Sequence, residues 1–299
     1  MKTCKALKQS MKAVFSSYGM WMAVIASAFL FLTATLVTDG EGRRYSALQV
    51  LFLIRGEWGT QFQSFEVLNL SAIRTVGQSA YLAMFLPVVA AFPGIPFLLD
   101  ELKSGMSRYS IHRSGRYQHY LGHVLAVWLC GGLAVMFGYI LAAVPVLAVF
   151  PHPGEMQQML EPVLFDMVVF GNNSLAWLYS ILGDVGLLLS FGLDMFFYGA
   201  FFSLPAILFV GFLRNKYLVL CFPMILLFFY DTVWKKIYNY YRMAWDQEML
   251  MKIDSWASNS LSSAATMPTV GKWLWILAGL LVTAVLYCIL MGRRLDCGA

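Results

Sequence analysis

Six apolar runs constrain this chain more than any other feature. They cover about 19–37, 77–99, 121–147, 185–212, 217–233 and 273–291. A helix of about 20 mostly apolar residues is what it takes to cross a bilayer core. Only 12% of the residues are charged and 60% are hydrophobic. A soluble domain has about 25% charged residues and about 45–50% apolar ones, so a chain this greasy could not cover its own surface in water. The expected fold is an all-α polytopic membrane protein. Residues 1–299 form a single transmembrane domain with six transmembrane helices.

The polar intervals orient the spans. With both ends placed in the cytoplasm, the inside segments hold twelve Lys and Arg residues: Lys2, Lys5, Lys8, Lys12, Lys103, Arg108, Arg113, Arg116, Arg214, Lys216, Arg293 and Arg294. The much longer outside segments hold the remaining nine, so the density of positive charge favours that orientation. The net charge of +5 therefore marks topology, and no nucleic-acid partner is expected. Residues 1–18 are amphipathic if helical, with Lys5, Lys8 and Lys12 opposite Leu7, Met11, Val14 and Phe15. They suit an interfacial helix on anionic lipid. The run that follows is longer than the apolar core of a cleaved signal, so it is read as an anchor. The five cysteines lie in apolar runs or in the inside tails, with no C-x-x-C, and read as reduced thiols.

Prolines punctuate the spans. Pro87, Pro93 and Pro96 fall in the second, which should be kinked and packed against protein, because each proline removes a backbone donor. A break is expected near Pro205 in the fourth span, and the fifth contains Pro223. Gly131, Gly132 and Gly138 in the third allow close helix approach. Residues 234–271, rich in Trp, Tyr and Met, suit outer interfacial helices. The patch 47–54 is too short to span.

Catalytic motifs are missing from the sequence. There is no G-x-x-x-x-G-K-[ST], no G-x-S-x-G and no H-E-x-x-H. His119 and His123 are four apart, but two histidines without a carboxylate are weak grounds for a metal site. No catalytic residue, metal ligand or bound cofactor is therefore expected on this chain. Asp194, inside the fourth span, is read either as part of a pathway or as a buried polar contact.

The interval 100–120, DELKSGMSRYSIHRSGRYQHY, stands out instead. Glu101 and Gly105 lie four apart just below the second span. A short basic piece follows, and Arg113, Gly115 and Arg116 form a break before the third span. This arrangement resembles the permease subunit of type-2 ABC exporters, in which a Glu ends the second span and a basic coupling helix leads through an Arg/Gly turn. The resemblance covers nearly the whole chain in layout and is loose in residues. It implies a cytoplasmic coupling helix, re-entrant outer helices between spans five and six, and a multi-pass location in a bacterial plasma membrane. It implies a separate cytoplasmic ATP-binding subunit carrying ATP and Mg, contacted through Glu101, Gly105, Arg108, Arg113, Gly115 and Arg116. It further implies a second permease chain, as a homodimer or heterodimer. Two alternatives remain open. One is an intramembrane enzyme or a haem or metal protein using Asp194 or His119 and His123. The other is a non-transport scaffold or immunity protein.

Overall fold

The computed structural model describes residues 2–33, 35–38, 44–53, 80–106, 109, 111–112, 115–149, 175, 177–213, 215–243 and 270–296. The order is α1 (Lys2–Phe15), α2 (Tyr18–Thr33), β1 (Thr35–Thr38), β2 (Arg44–Ser46), α3 (Ala47–Leu53), α4 (Ala80–Ala91), α5 (Ile95–Ser104), α6 (Arg116–Val149), α7 (Trp177–Val210), α8 (Lys216–Met243) and α9 (Val270–Asp296). The two short strands pair antiparallel; the remaining elements are helices. Most of the outer segments expected at 151–182 and beyond Met243 lie outside the described residues.

Two of these helices are long and apolar enough to cross a membrane alone, Arg116–Ala148 and Trp177–Val210. A third span is formed if α4 and α5 count as one, bent by 42° at their junction. The apolar parts of α2, α8 and α9 are shorter. At 34 residues, α6 is about 50 Å long at 1.5 Å per residue. That exceeds the hydrocarbon thickness of about 30 Å, so its polar first turn can stand clear of the lipid.

The pair α4 and α5 bends where its sequence demands it. The turn Phe92–Gly94 separates α4 from α5, and Pro96 sits in the first turn of α5, where its missing N–H costs nothing. Pro87 is buried inside α4. Helix α7 departs from what the fourth apolar run suggested. Helix α7 continues through Pro205, and its only non-helical backbone is at Gly183, with φ 59° and ψ −139°. Leu204, Ala206 and Ile207 around that proline are buried, so protein packing holds the turn that the missing donor weakens. Helix α8 is also longer than its apolar run. Helix α8 extends to Met243 because nothing after Pro223 breaks it, and the Trp/Tyr-rich stretch 234–243 is its continuation.

Helix α6 is the hub, packed against α7, α2 and α1. Its glycines make this contact possible. A Cβ on Gly131 would lie 2.6 Å from the Ala90 carbonyl oxygen, and one on Gly138 would collide with Ser27 Oγ. The Ser27 hydroxyl donates to the Ala134 carbonyl at 3.1 Å, joining α2 to α6. One apolar cluster, including Phe31, Leu86, Tyr139 and Phe191, fills one half of the bundle. A second gathers the end of α5, the start of α6, the end of α7, the start of α8 and the end of α9 through Leu98, Tyr120, Val210, Val219 and Tyr287. Val14 of α1 and Met20 of α2 pack beside Phe97 of α5 in a third. These junctions therefore share one end of the bundle. The outward faces of α2, α8 and α9 remain apolar, with Trp21, Phe29, Phe228, Phe229, Leu281 and Ile289 exposed. Exposed apolar surface on this scale marks contact with lipid or another chain.

Candidate functional site

The shared end carries the elbow between α5 and α6. Helix α5 stops because Gly105 adopts the left-handed conformation, φ 72° and ψ 4°, a C-terminal cap that a residue with a Cβ would strain. Met106, Tyr109, Ile111 and His112 are helical in the stretch that follows. A second glycine closes it: Gly115 has φ 89°. Its N–H donates to the Ile111 carbonyl at 2.8 Å, and its own carbonyl accepts from the His119 N–H at 3.1 Å. One residue thus ends the short piece and starts α6. Arg116 begins α6, whereas Arg108 and Arg113 lie outside the described residues. Lys103, Met106, Tyr109 and His112 are exposed, so the elbow presents side chains outward.

Polar contacts pin the elbow on two sides. On its outer side, Lys216 Nζ lies 2.5 Å from Asp100 Oδ1. Lys216 opens α8 immediately after Asn215, whose side-chain oxygen accepts from the Tyr217 N–H at 3.0 Å as an N-cap. The ion pair therefore links the α5 terminus to the turn between α7 and α8, two segments far apart in the chain. Both groups are partly exposed, so the pair contributes only about 0.2–1 kcal/mol. It fixes which segments touch more than how stable they are.

On the inner side, Glu101 points at α6. One carboxylate oxygen is 3.6 Å from His119 Nε2 and the other is 3.5 Å from His123 Nε2. The two Nε2 atoms lie 2.9 Å apart. Residues four apart share a helix face, which explains the histidine pair. The carboxylate comes from the preceding helix, folded back across the elbow. The side chains of His119 and His123 are about 95% buried and that of Glu101 is 12% exposed. A small cavity beside them is lined by Leu98, Leu102, Tyr120 and Tyr287, and the two tyrosine rings meet edge to face at 5.9 Å.

The sequence-derived site residues thus fall into two groups. Glu101, Gly105, Gly115 and Arg116 gather at the elbow. Asp194 does not: it is buried in α7, 1% exposed, on a face shared with Ser190 and Tyr198. Sequence reasoning missed both the joining of Glu101 to the histidines and the pairing of Asp100 with Lys216. The histidine spacing was the available signal, and only the antiparallel return of α6 along α5 completes it. No protein-family model matches the chain, and no characterised protein matches it in sequence.

Proposed function

We propose that this chain is the permease subunit of an ATP-driven exporter of the type-2 ABC class. In this reading the six apolar helices all cross the membrane, with α4 and α5 forming one bent span. The termini lie in the cytoplasm, α1 rests on the inner lipid surface, and re-entrant helices occupy the outer segment between α8 and α9. The elbow is the coupling segment. A separate cytoplasmic ATPase subunit, carrying ATP and Mg, would seat on it through Arg108, Arg113 and Arg116, and a second permease chain would complete the path. The chain itself performs no catalysis.

The observation that carries this reading is the elbow's construction. A short basic piece lies between two glycines at positive φ and is joined on one side to α5 and on the other to α6. A push on such a piece is delivered to two spans together. The Asp100–Lys216 contact passes it to a third. The packing of the α5–α6 and α7–α8 junctions with the end of α9 in one cluster, and of the α1–α2 junction beside α5 in another, supports an even alternation of spans, as cytoplasmic placement of both termini requires. Asp194 fits a buried polar contact inside one permease half.

The test is the double substitution Arg113→Glu with Arg116→Glu, assayed with the co-expressed ATPase. Expression, membrane insertion and thermal stability should be unchanged, while transport-coupled ATP hydrolysis should fall to the level of the ATPase alone. Normal coupled activity in the double variant, or a chain that functions with no ATPase partner, would contradict the proposal.

A further inference from the structure

Glu101, His119 and His123 bring three donor atoms of the kind that bind first-row transition metals to one point. Each residue can offer one atom such that all three lie within 4.8 Å of one another. Two imidazoles and one carboxylate with a fourth position open are a recurrent zinc donor set. Its geometry can be checked directly. Donors at 2.0–2.1 Å from a tetrahedral zinc are separated from one another by about 3.3 Å. Here the two Nε2 atoms are 2.9 Å apart, His119 Nε2 is 3.6 Å from Glu101 Oε1, and His123 Nε2 is 3.5 Å from Oε2, so the two carboxylate contacts are made by different oxygens. With one oxygen chosen, the three donors lie within 4.8 Å of one another, and a turn of the Glu101 carboxylate that brings this oxygen toward both rings would seat the ion.

The contacts are also those of a cation site more than of an ordinary polar cluster. At 3.5–3.6 Å the two carboxylate-to-ring distances exceed the usual range of an N–H···O bond, yet both rings turn the same nitrogen toward the carboxylate. A proton shared between the rings accounts for the 2.9 Å contact alone, whereas a cation accounts for the convergence of all three. The site lies at the boundary between the apolar bundle and its polar end, with both rings buried. Leu98, Leu102, Tyr120 and Tyr287 wall the adjoining cavity, the space a fourth, water ligand would use.

We propose that these three residues bind one borderline divalent cation, zinc being the representative, and that it staples the end of α5 to the start of α6 across the elbow. This assignment does not depend on the exporter reading. It concerns how the elbow is held, whatever presses on it.

The experiment uses the full chain in lipid nanodiscs, prepared without a polyhistidine tag and stripped with chelator. Titration with Zn2+ against a chromophoric chelator should give one equivalent per chain. Co2+ should give the visible absorption of a four-coordinate N/O site, displaced by Zn2+. Glu101→Gln, His119→Asn and His123→Asn should each weaken binding by more than about a hundredfold, a loss beyond that seen when only a supporting partner of a ligand is removed. His112→Asn, at an exposed position on the elbow, should bind as the parent does. Absence of stoichiometric binding, or full binding by His123→Asn, would overturn the assignment. If a ligand variant fails to fold, X-ray absorption at the zinc edge of the parent chain decides the matter. Two imidazoles in an all-N/O shell support the site, and a sulfur shell or a shell without imidazole refutes it.

Discussion

At mid-bundle, Gly131 and Gly138 let α6 press its backbone against α4 and α2, a close fit that includes the Ser27 hydroxyl bonded to the Ala134 carbonyl. At the elbow end, Glu101, His119 and His123 meet through polar atoms, and Asp100 reaches Lys216 across a partly exposed gap. The same helix, α6, takes part in both. Lipid offers no hydrophobic drive for one apolar helix to join another, so mid-bundle affinity must come from close fit. Near the polar boundary, a few directional contacts can choose which helix ends meet. Shape thus dominates the contacts at mid-bundle, and charge and polar atoms dominate those at the elbow.

Substitutions can break this comparison region by region. The largest effect is expected at mid-bundle. Gly138→Leu places a side chain where Ser27 already sits and should cost at least ~3 kcal/mol, the upper end of overpacking penalties. It should be read as loss of monodisperse protein and a lowered unfolding midpoint in detergent. Gly292→Ala in α9 is its counterpart. Nothing lies near a Cβ there, and the helix should gain up to about 1 kcal/mol. If the two substitutions behave alike, close approach is not what holds the bundle.

The elbow should respond less strongly. Gly115→Ala forces a Cβ into φ 89° and should cost about 1–2 kcal/mol, measured by the same unfolding assay. Unlike Gly138→Leu, it should leave the bundle assembled while altering hydrogen exchange at the amides of residue 115 and His119, the two donors in the hydrogen bonds made by Gly115. The smallest effect belongs to Asp100 and Lys216. A double-mutant cycle on Asp100→Ala and Lys216→Ala should yield a coupling of ~0.2–1 kcal/mol that shrinks as salt rises. A coupling that does not change with salt would mean that the pair is not the exposed contact described above.

Much of this fold was legible in the chain. The apolar runs located helices α2 and α4–α9, because length and the absence of charge are local properties. The glycines of α6 announced close packing, and Gly105 and Gly115 announced the breaks around the elbow. Helix ends were less legible. Pro205 did not stop α7, because buried neighbours compensate for its missing donor, whereas Gly183, which carries no such warning, did interrupt the backbone. Tyr and Trp after residue 233 have an interfacial character but nothing that ends a helix, so α8 ran on. The candidate site was half legible. His119 and His123 are neighbours on any helix, but Glu101 joins them only once α6 folds back beside α5, a tertiary fact with no local signature.

The proposed function places the polar elbow between α5 and α6 on the cytoplasmic face. A single cysteine at Tyr109→Cys, in a chain otherwise freed of cysteine, tests it most directly, because Tyr109 is exposed. A membrane-impermeant maleimide should label it in inverted vesicles and leave it unlabelled in intact cells. Labelling from the outside of intact cells would contradict the account.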